Sequence, residues 1–241
     1  SHTAAHLARL ALERVGVRTT FGIPGVHNTE LYDELGQSDL ITPILVTSEL
    51  SGAFMAEATS RVGGSLGCLV LVPAAGLTHA ASGIGEAMLD GIPLLVITGG
   101  TRTDLPFHYQ LHEIDQLEIA KGLTKAAFRV NTHAEVMPTI YEAARIAQRG
   151  TPGPVLVELP VNLQLLTGPA DDSLPFVPEA PPALPPKEAL DRAAALLQES
   201  LRPALFVGWG ARNARLVDLA ERLGAPVATT LQGLASFPHD H

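Results

Sequence analysis

Apolar residues in this chain follow two rhythms. Short segments bounded by turn residues, at 19–23, 41–46, 66–72, 94–98, 126–130 and 155–159, read as strands, and apolar runs fill 44–46, 66–72 and 94–98 among them. Runs of this length, rich in Val, Ile and Leu, predict strands buried on both faces. Between them the apolar spacing changes to three and four. Leu7, Leu10, Ala11 and Val15 form one stripe, and Val136, Ile140, Ala143, Ala144 and Ala147 form another. Those stripes predict amphipathic helices over 4–15 and 133–148. Thr3 is placed to cap the first helix and Gly16 to stop it. Further helices are predicted at 28–35, after Glu49 up to Gly63-Gly64, and at 78–89, where Ala80, Ala81, Gly83, Gly85 and Ala87 suit close packing against a sheet or a second subunit. Residues 99–113 are polar, aromatic and irregular, so a loop is expected there. Strands alternating with helices predict an α/β fold with a mainly parallel sheet and helices on both faces.

The rhythm breaks after 165. Seven prolines lie between Pro169 and Pro186, around Asp171-Asp172-Ser173. This predicts an extended linker over 166–186. A second α/β unit follows over 187–241, with helices at 187–198 and 213–223 and strands at 204–207 and 226–230. Two strands with their helices do not close an independent core, so this unit is expected to be incomplete and the chain truncated.

Composition narrows the function classes. The 241 residues are 46% hydrophobic and 17% charged, with a net charge of −9. That balance argues against nucleic acid or an anionic membrane surface as partner. No apolar run is long enough to span a bilayer, and no signal peptide is visible. The single cysteine, Cys68, lies inside an apolar run, reads as a structural thiol and fits a reducing compartment; a cytoplasmic location is expected.

The candidate chemistry sits where strands hand over to helices. Glu49 follows the apolar run Ile44-Leu45-Val46 directly and opens a helix. In open α/β sheets that edge is where ligands bind. A carboxylate there is either a helix-dipole partner or a working group in a dry pocket. Loops at 22–27, 47–49, 72–79 and 99–110 should share that edge. His108 and His112, four apart with Glu113 and Asp115 nearby, lack the H-E-x-x-H order of a zinc helix, so no metal site is assigned. Gly208-Trp209-Gly210 lacks the third glycine of a dinucleotide fingerprint, and no such fingerprint follows the first strand.

Five segments together carry a resemblance: FGIPGVHNTELYDEL from Phe21, TSELSGAFMAEATSRVGG from Thr47, PAAGLTHAASGIGEAMLDGIPLLVITGG from Pro73, YQLHEIDQLEIAKGLTKAAFRV from Tyr109 and TPGPVLVELPVNLQ from Thr151. In this order, residues 1–165 resemble the N-terminal, pyrimidine-binding domain of thiamine-diphosphate enzymes of the acetolactate synthase group. The linker and the stretch from Arg202 to Pro238 look like the start of that family's middle domain. The resemblance implies a 2-keto-acid decarboxylase or carboligase that takes a substrate such as pyruvate and works as a homodimer or homotetramer. Its cofactors would be thiamine diphosphate with Mg²⁺, and FAD in some relatives.

The resemblance also implies roles. Glu49 would hydrogen-bond the ring nitrogen of the aminopyrimidine and drive its tautomerism, so that thiazolium C2 loses its proton. A carboxyl group does this only in an apolar surround or beside a partner. Pro24, Gly25 and Val26 would lie against the pyrimidine. Gly76 and His79 would sit near the reacting carbon, with His79 where asparagine is usual. Val72 stands where some decarboxylases carry histidine, and Gln110 matches a glutamine near the substrate. The Gly-Asp-Gly segment that holds Mg²⁺ and diphosphate in this family is absent from the sequence. The chain alone is therefore expected to be inactive. The competing reading is a fragment or assembly module that keeps the fold without the chemistry.

Overall fold

The structure, a computed structural model, describes residues 1–180 and 183–241. These fall into two compact units, Ser1–Glu179 and Ala180–His241.

The first unit begins with a two-residue strand β1 (His2–Thr3) and helix α1 (Ala4–Arg14). Thr3 caps α1 by accepting a hydrogen bond from the His6 amide, and Gly16 leaves the helix at φ +90°. Then come β2 (Thr19–Gly22), α2 (Thr29–Gly36), β3 (Thr42–Leu45), α3 (Glu49–Val62), β4 (Gly67–Leu71), α4 (Ala75–Asp90) and β5 (Leu94–Gly100). The unit continues through α5 (Gln116–Ala120), β6 (Ala126–Arg129), α6 (Val136–Gln148), β7 (Pro154–Pro160), α7 (Val161–Leu165) and β8 (Thr167–Gly168).

Six strands form one parallel sheet in the order β3-β2-β4-β5-β7-β6. Its centre is dry, because β4, β5 and β7 are buried at every position. Helices α1 and α6 pack their apolar stripes on the sheet with Leu7, Leu12, Ile140 and Tyr141 in the core. The chain runs from β2 outward to β3, then crosses back to β4 on the other side of β2. This reversal leaves a crevice at the carboxyl ends of β2 and β4. The register places those ends level: Gly22 pairs with both Leu45 and Val70, and Leu71 pairs with Thr98.

Three sequence expectations need correction. The run at 41–46 is not a strand buried on both faces. β3 is the edge strand, with Ile44 40% and Leu45 68% exposed, and only Ile41 and Val46, which flank the strand, are buried. An apolar run of this kind does not reveal how many neighbours its strand will have. The loop expected at 99–113 starts later, because β5 runs to Gly100, pairing there with Pro160. The linker expected at 166–186 begins inside the first unit, and its positions 181 and 182 lie outside the described residues. β8 pairs antiparallel with β1, Arg14 and Tyr141 both donate to the Leu174 carbonyl at 2.8 and 2.6 Å, and Phe176 rests on Tyr141. Apolar anchors among the prolines thus hold this stretch on α1 and α6.

The second unit contains α8 (Lys187–Glu199), β9 (Leu205–Val207), α9 (Leu216–Leu223) and β10 (Val227–Thr229). β9 and β10 pair in parallel, and α8 buries none of its residues.

Candidate functional site at the sheet crevice

Glu49 is the first residue of α3, three residues separating it from the end of the β3 edge strand at Leu45. It is only 8% exposed. The first turn of a helix favours a negative charge. Its carboxylate has a single hydrogen-bond partner among the described residues: Oε2 stands 3.4 Å from His79 Nδ1. That is a long contact, so most of the acceptor capacity of a nearly buried carboxylate is free.

His79 belongs to α4, one turn after Gly76, and its ring is largely exposed. The turn that leads into α4 is strained. Ala74 has φ +57° and ψ −92°, a conformation that costs an L-residue about 1–3 kcal/mol and tends to mark functional sites. Val72, at the end of β4, fills the space between two glycines. A Cβ on Gly25 would lie 2.7 Å from Val72 Cγ1, and one on Gly76 would lie 3.0 Å from Val72 Cγ2. The turn before α2 is held by Asn28, whose Oδ1 accepts from the Gly25 amide at 2.7 Å. Pro24 and Val26 flank Gly25 and are exposed. The structure thus joins Gly25, Val72 and Gly76 in one packed contact and Glu49 with His79 in another, bridged by the first turn of α4.

Gln110 is not part of this group. Its Oε1 accepts from the Arg102 amide at 3.0 Å and its Nε2 donates to the Arg102 carbonyl at 2.8 Å, so both ends of the side chain close their own loop. It lines a separate concavity of about 720 Å³ between the 101–116 loop and the Arg129–Glu158 pair. Glu158 is buried there and takes Arg129 Nε at 2.7 Å. His108 pairs with Glu113 at 3.1 Å; among the described residues it shares no three-ligand group with His112.

Several residues around the carboxyl edge of the sheet carried no sequence signal. His27 is 7% exposed, its Nδ1 has no hydrogen-bond partner, and its ring lies 5.4 Å from that of His112. Burial, reinforced by nearby His112, holds its pKa below the usual histidine value. The His27 carbonyl accepts from Gln164 at 2.9 Å and presses on Gly99, where a Cβ would lie 2.2 Å away. Tyr32 donates to the Val70 carbonyl at 3.1 Å. Burial pushes its phenol well up, with Cys68 and Glu49 adding to the shift. Gln116 braces the end of β5 through Thr98 and the Gly99 carbonyl. Each of these acts through residues distant in sequence, so spacing could not announce it. Buried Cys68 has its thiol pushed far up by desolvation, which makes it an inert packing group.

The cradle fits a flat heterocycle in its chemistry. It offers a nearly dry carboxylate with free acceptor capacity, an apolar wall at Val72, and glycine backbone at Gly25 and Gly76. It offers no oxygen cage for a hard cation.

Residues 2–119 match the family described as thiamine pyrophosphate enzyme, N-terminal TPP binding domain, and residues 190–241 match its central domain. The chain is 35% identical over 236 residues to acetolactate synthase 2, chloroplastic, of Zea mays, covering 95% of this chain and 37% of that protein. It is 35% identical over 236 residues to the chloroplastic acetolactate synthase of Arabidopsis thaliana, covering 95% and 35%. It is 35% identical over 242 residues to the probable acetolactate synthase large subunit of Methanocaldococcus jannaschii, covering 96% and 40%. The chain therefore spans between 35% and 40% of the length of these relatives.

Proposed function

The chain belongs to the thiamine pyrophosphate enzymes of the acetolactate synthase-like group, and from that premise we propose that it contributes the pyrimidine-binding half of a 2-keto-acid decarboxylase or carboligase acting on pyruvate or a close analogue. One observation carries this reading: a carboxylate nearly sealed from water, with one long contact to His79, opens the helix beside the sheet's topological switch. A scaffold gains little from burying an acid that lacks close partners.

In this reading Glu49 would share one proton with a ring nitrogen of the pyrimidine, donating it as the neutral acid and accepting from the protonated ring as the carboxylate. Val72 supports one face of the ring, and Gly25 and Gly76 let backbone approach its edge. His79 steadies the carboxylate from the solvent side. When bound, thiamine diphosphate supplies the acidic C2 carbon and the electron sink for decarboxylation. The diphosphate and its Mg²⁺ rest on residues outside this chain. The exposed apolar side chains Leu45, Leu50, Phe54 and Met55 on β3 and α3 support an oligomer that covers this face. Among the described residues no helix is long and apolar enough to cross a membrane.

The test is turnover by the full-length protein, with pyruvate supplied and CO₂ and acetolactate measured, with and without thiamine diphosphate and Mg²⁺. Product that depends on the cofactor is expected. Tight cofactor binding with no turnover of any 2-keto acid would favour an assembly module.

A further inference from the structure

On the side of the first unit where β1 meets β8, two histidines and a carboxylate converge. One ring nitrogen of His2, one of His6 and one carboxylate oxygen of Asp172 all lie within 4.8 Å of one another. Pairing of His2 with Gly168 and of Thr3 with Thr167 brings the chain start beside the turn that carries Asp172. That turn is fixed by Asp171, which accepts from the Ser173 amide and hydroxyl at 2.9 and 2.6 Å.

The His2–Asp172 spacing suits a shared metal better than a direct ion pair. His2 Nε2 stands 3.4 Å from Asp172 Oδ2. A charge-assisted hydrogen bond would draw such a pair to about 2.7–2.9 Å. Two ligand atoms each about 2.0–2.1 Å from a tetrahedral zinc lie roughly 3.3–3.4 Å apart. The two imidazoles are stacked, with centroids 5.2 Å apart and planes at 16°; both side chains are partly exposed, and one ring turns about its side-chain torsions for the two in-plane lone pairs to meet at one ion. His6 Nδ1 lies 3.2 Å from Glu34 Oε2, itself held by Arg9 Nε at 3.0 Å, and 3.4 Å from Arg9 Nη2, which leaves Nε2 as the nitrogen open to a metal. A carboxylate on one imidazole nitrogen commonly fixes the other nitrogen for a metal. Arg9 also lies near His6, but Glu13 and Glu34 both pair with it, so the surroundings stay acidic. Glu30 and Asp33 line the adjoining hollow and add to that field.

We propose that His2, His6 and Asp172 form a site for one divalent transition-metal ion of the zinc type, with water in the fourth position, which staples the start of the chain to the segment after β8. The two-nitrogen, one-oxygen donor set selects Zn²⁺, Co²⁺ or Ni²⁺ over Ca²⁺ and Mg²⁺, which require oxygen ligands. The site lies apart from Glu49 and does not depend on the proposed reaction.

The experiment is calorimetric titration of the 241-residue chain with ZnCl₂ near pH 7.5, with MgCl₂ and CaCl₂ as controls. One saturable Zn²⁺ site is expected, with no competition from Mg²⁺ or Ca²⁺. Asp172→Asn and His6→Gln should each weaken it at least about tenfold, and Glu34→Gln by roughly tenfold through loss of the outer hydrogen bond. Asp172 is partly exposed and Asn keeps its shape, so that variant remains folded, as circular dichroism would verify. Zinc should also broaden or shift the ring-proton signals of His2 and His6. Absence of saturable binding, or a zinc site whose affinity is the same in all three variants, overturns the proposal; the latter would place the ion on other histidines.

Discussion

His27 shows how a single residue is set by its surroundings. Burial and then the neighbouring His112 disfavour its protonated form. Its folded pKa lies below the unfolded value of about 6.5, so its contribution is fully present above that value and is lost as pH falls through the folded pKa. Acidification from neutrality should therefore destabilise the wild type more steeply than His27→Gln, as read from urea midpoints between about pH 7.5 and 5. Equal slopes for the two proteins would remove His27 from the account. Glu49 was legible in the sequence because a charge at the seam between an apolar run and a helix stands out. His27 was not, because its burial depends on Gln164 and Gly99, far along the chain.

At the scale of elements, the small residues of α4 resolve an ambiguity. They suit packing against either a sheet or another subunit, and the structure sets Gly83 against α3 instead. A Cβ on Gly83 would lie 2.6 Å from Ala53 Cβ, whereas one on Gly85 would meet nothing closer than Leu123 at 3.6 Å. Gly83→Ala should cost about 1–3 kcal/mol by overpacking. Gly85→Ala should gain about 0.5–1 kcal/mol by restricting the unfolded chain. Chemical denaturation of both variants checks the pair; changes of the same sign would mean that α3 and α4 do not touch as described. The helices and central strands were readable because their periods are long and regular. The edge position of β3 was not, since Ile44 and Leu45 look the same in a central strand and an outer one.

For the molecule as a whole, strand order does what no single motif could. Parallel pairing of the strands puts four loops on one rim, and the sequence foretold that shared rim because each loop follows a segment that reads as a strand. The inner geometry of the 101–115 loop stayed hidden. Tyr109 and His112 adopt φ of +66° and +63°, and Gln110 bonds its own loop, features that follow from tertiary fit and not from local pattern. The same fit separates the Gln110 concavity from the Glu49 crevice, which leaves Glu49 as the acid on which the proposed chemistry turns. Exchange of the C2 proton of bound thiamine diphosphate for deuterium, followed by proton NMR in the full-length enzyme and its Glu49→Gln variant, tests this most directly. The account predicts exchange slower by about 10²–10⁴ in the variant; an unchanged rate with cofactor bound would contradict it.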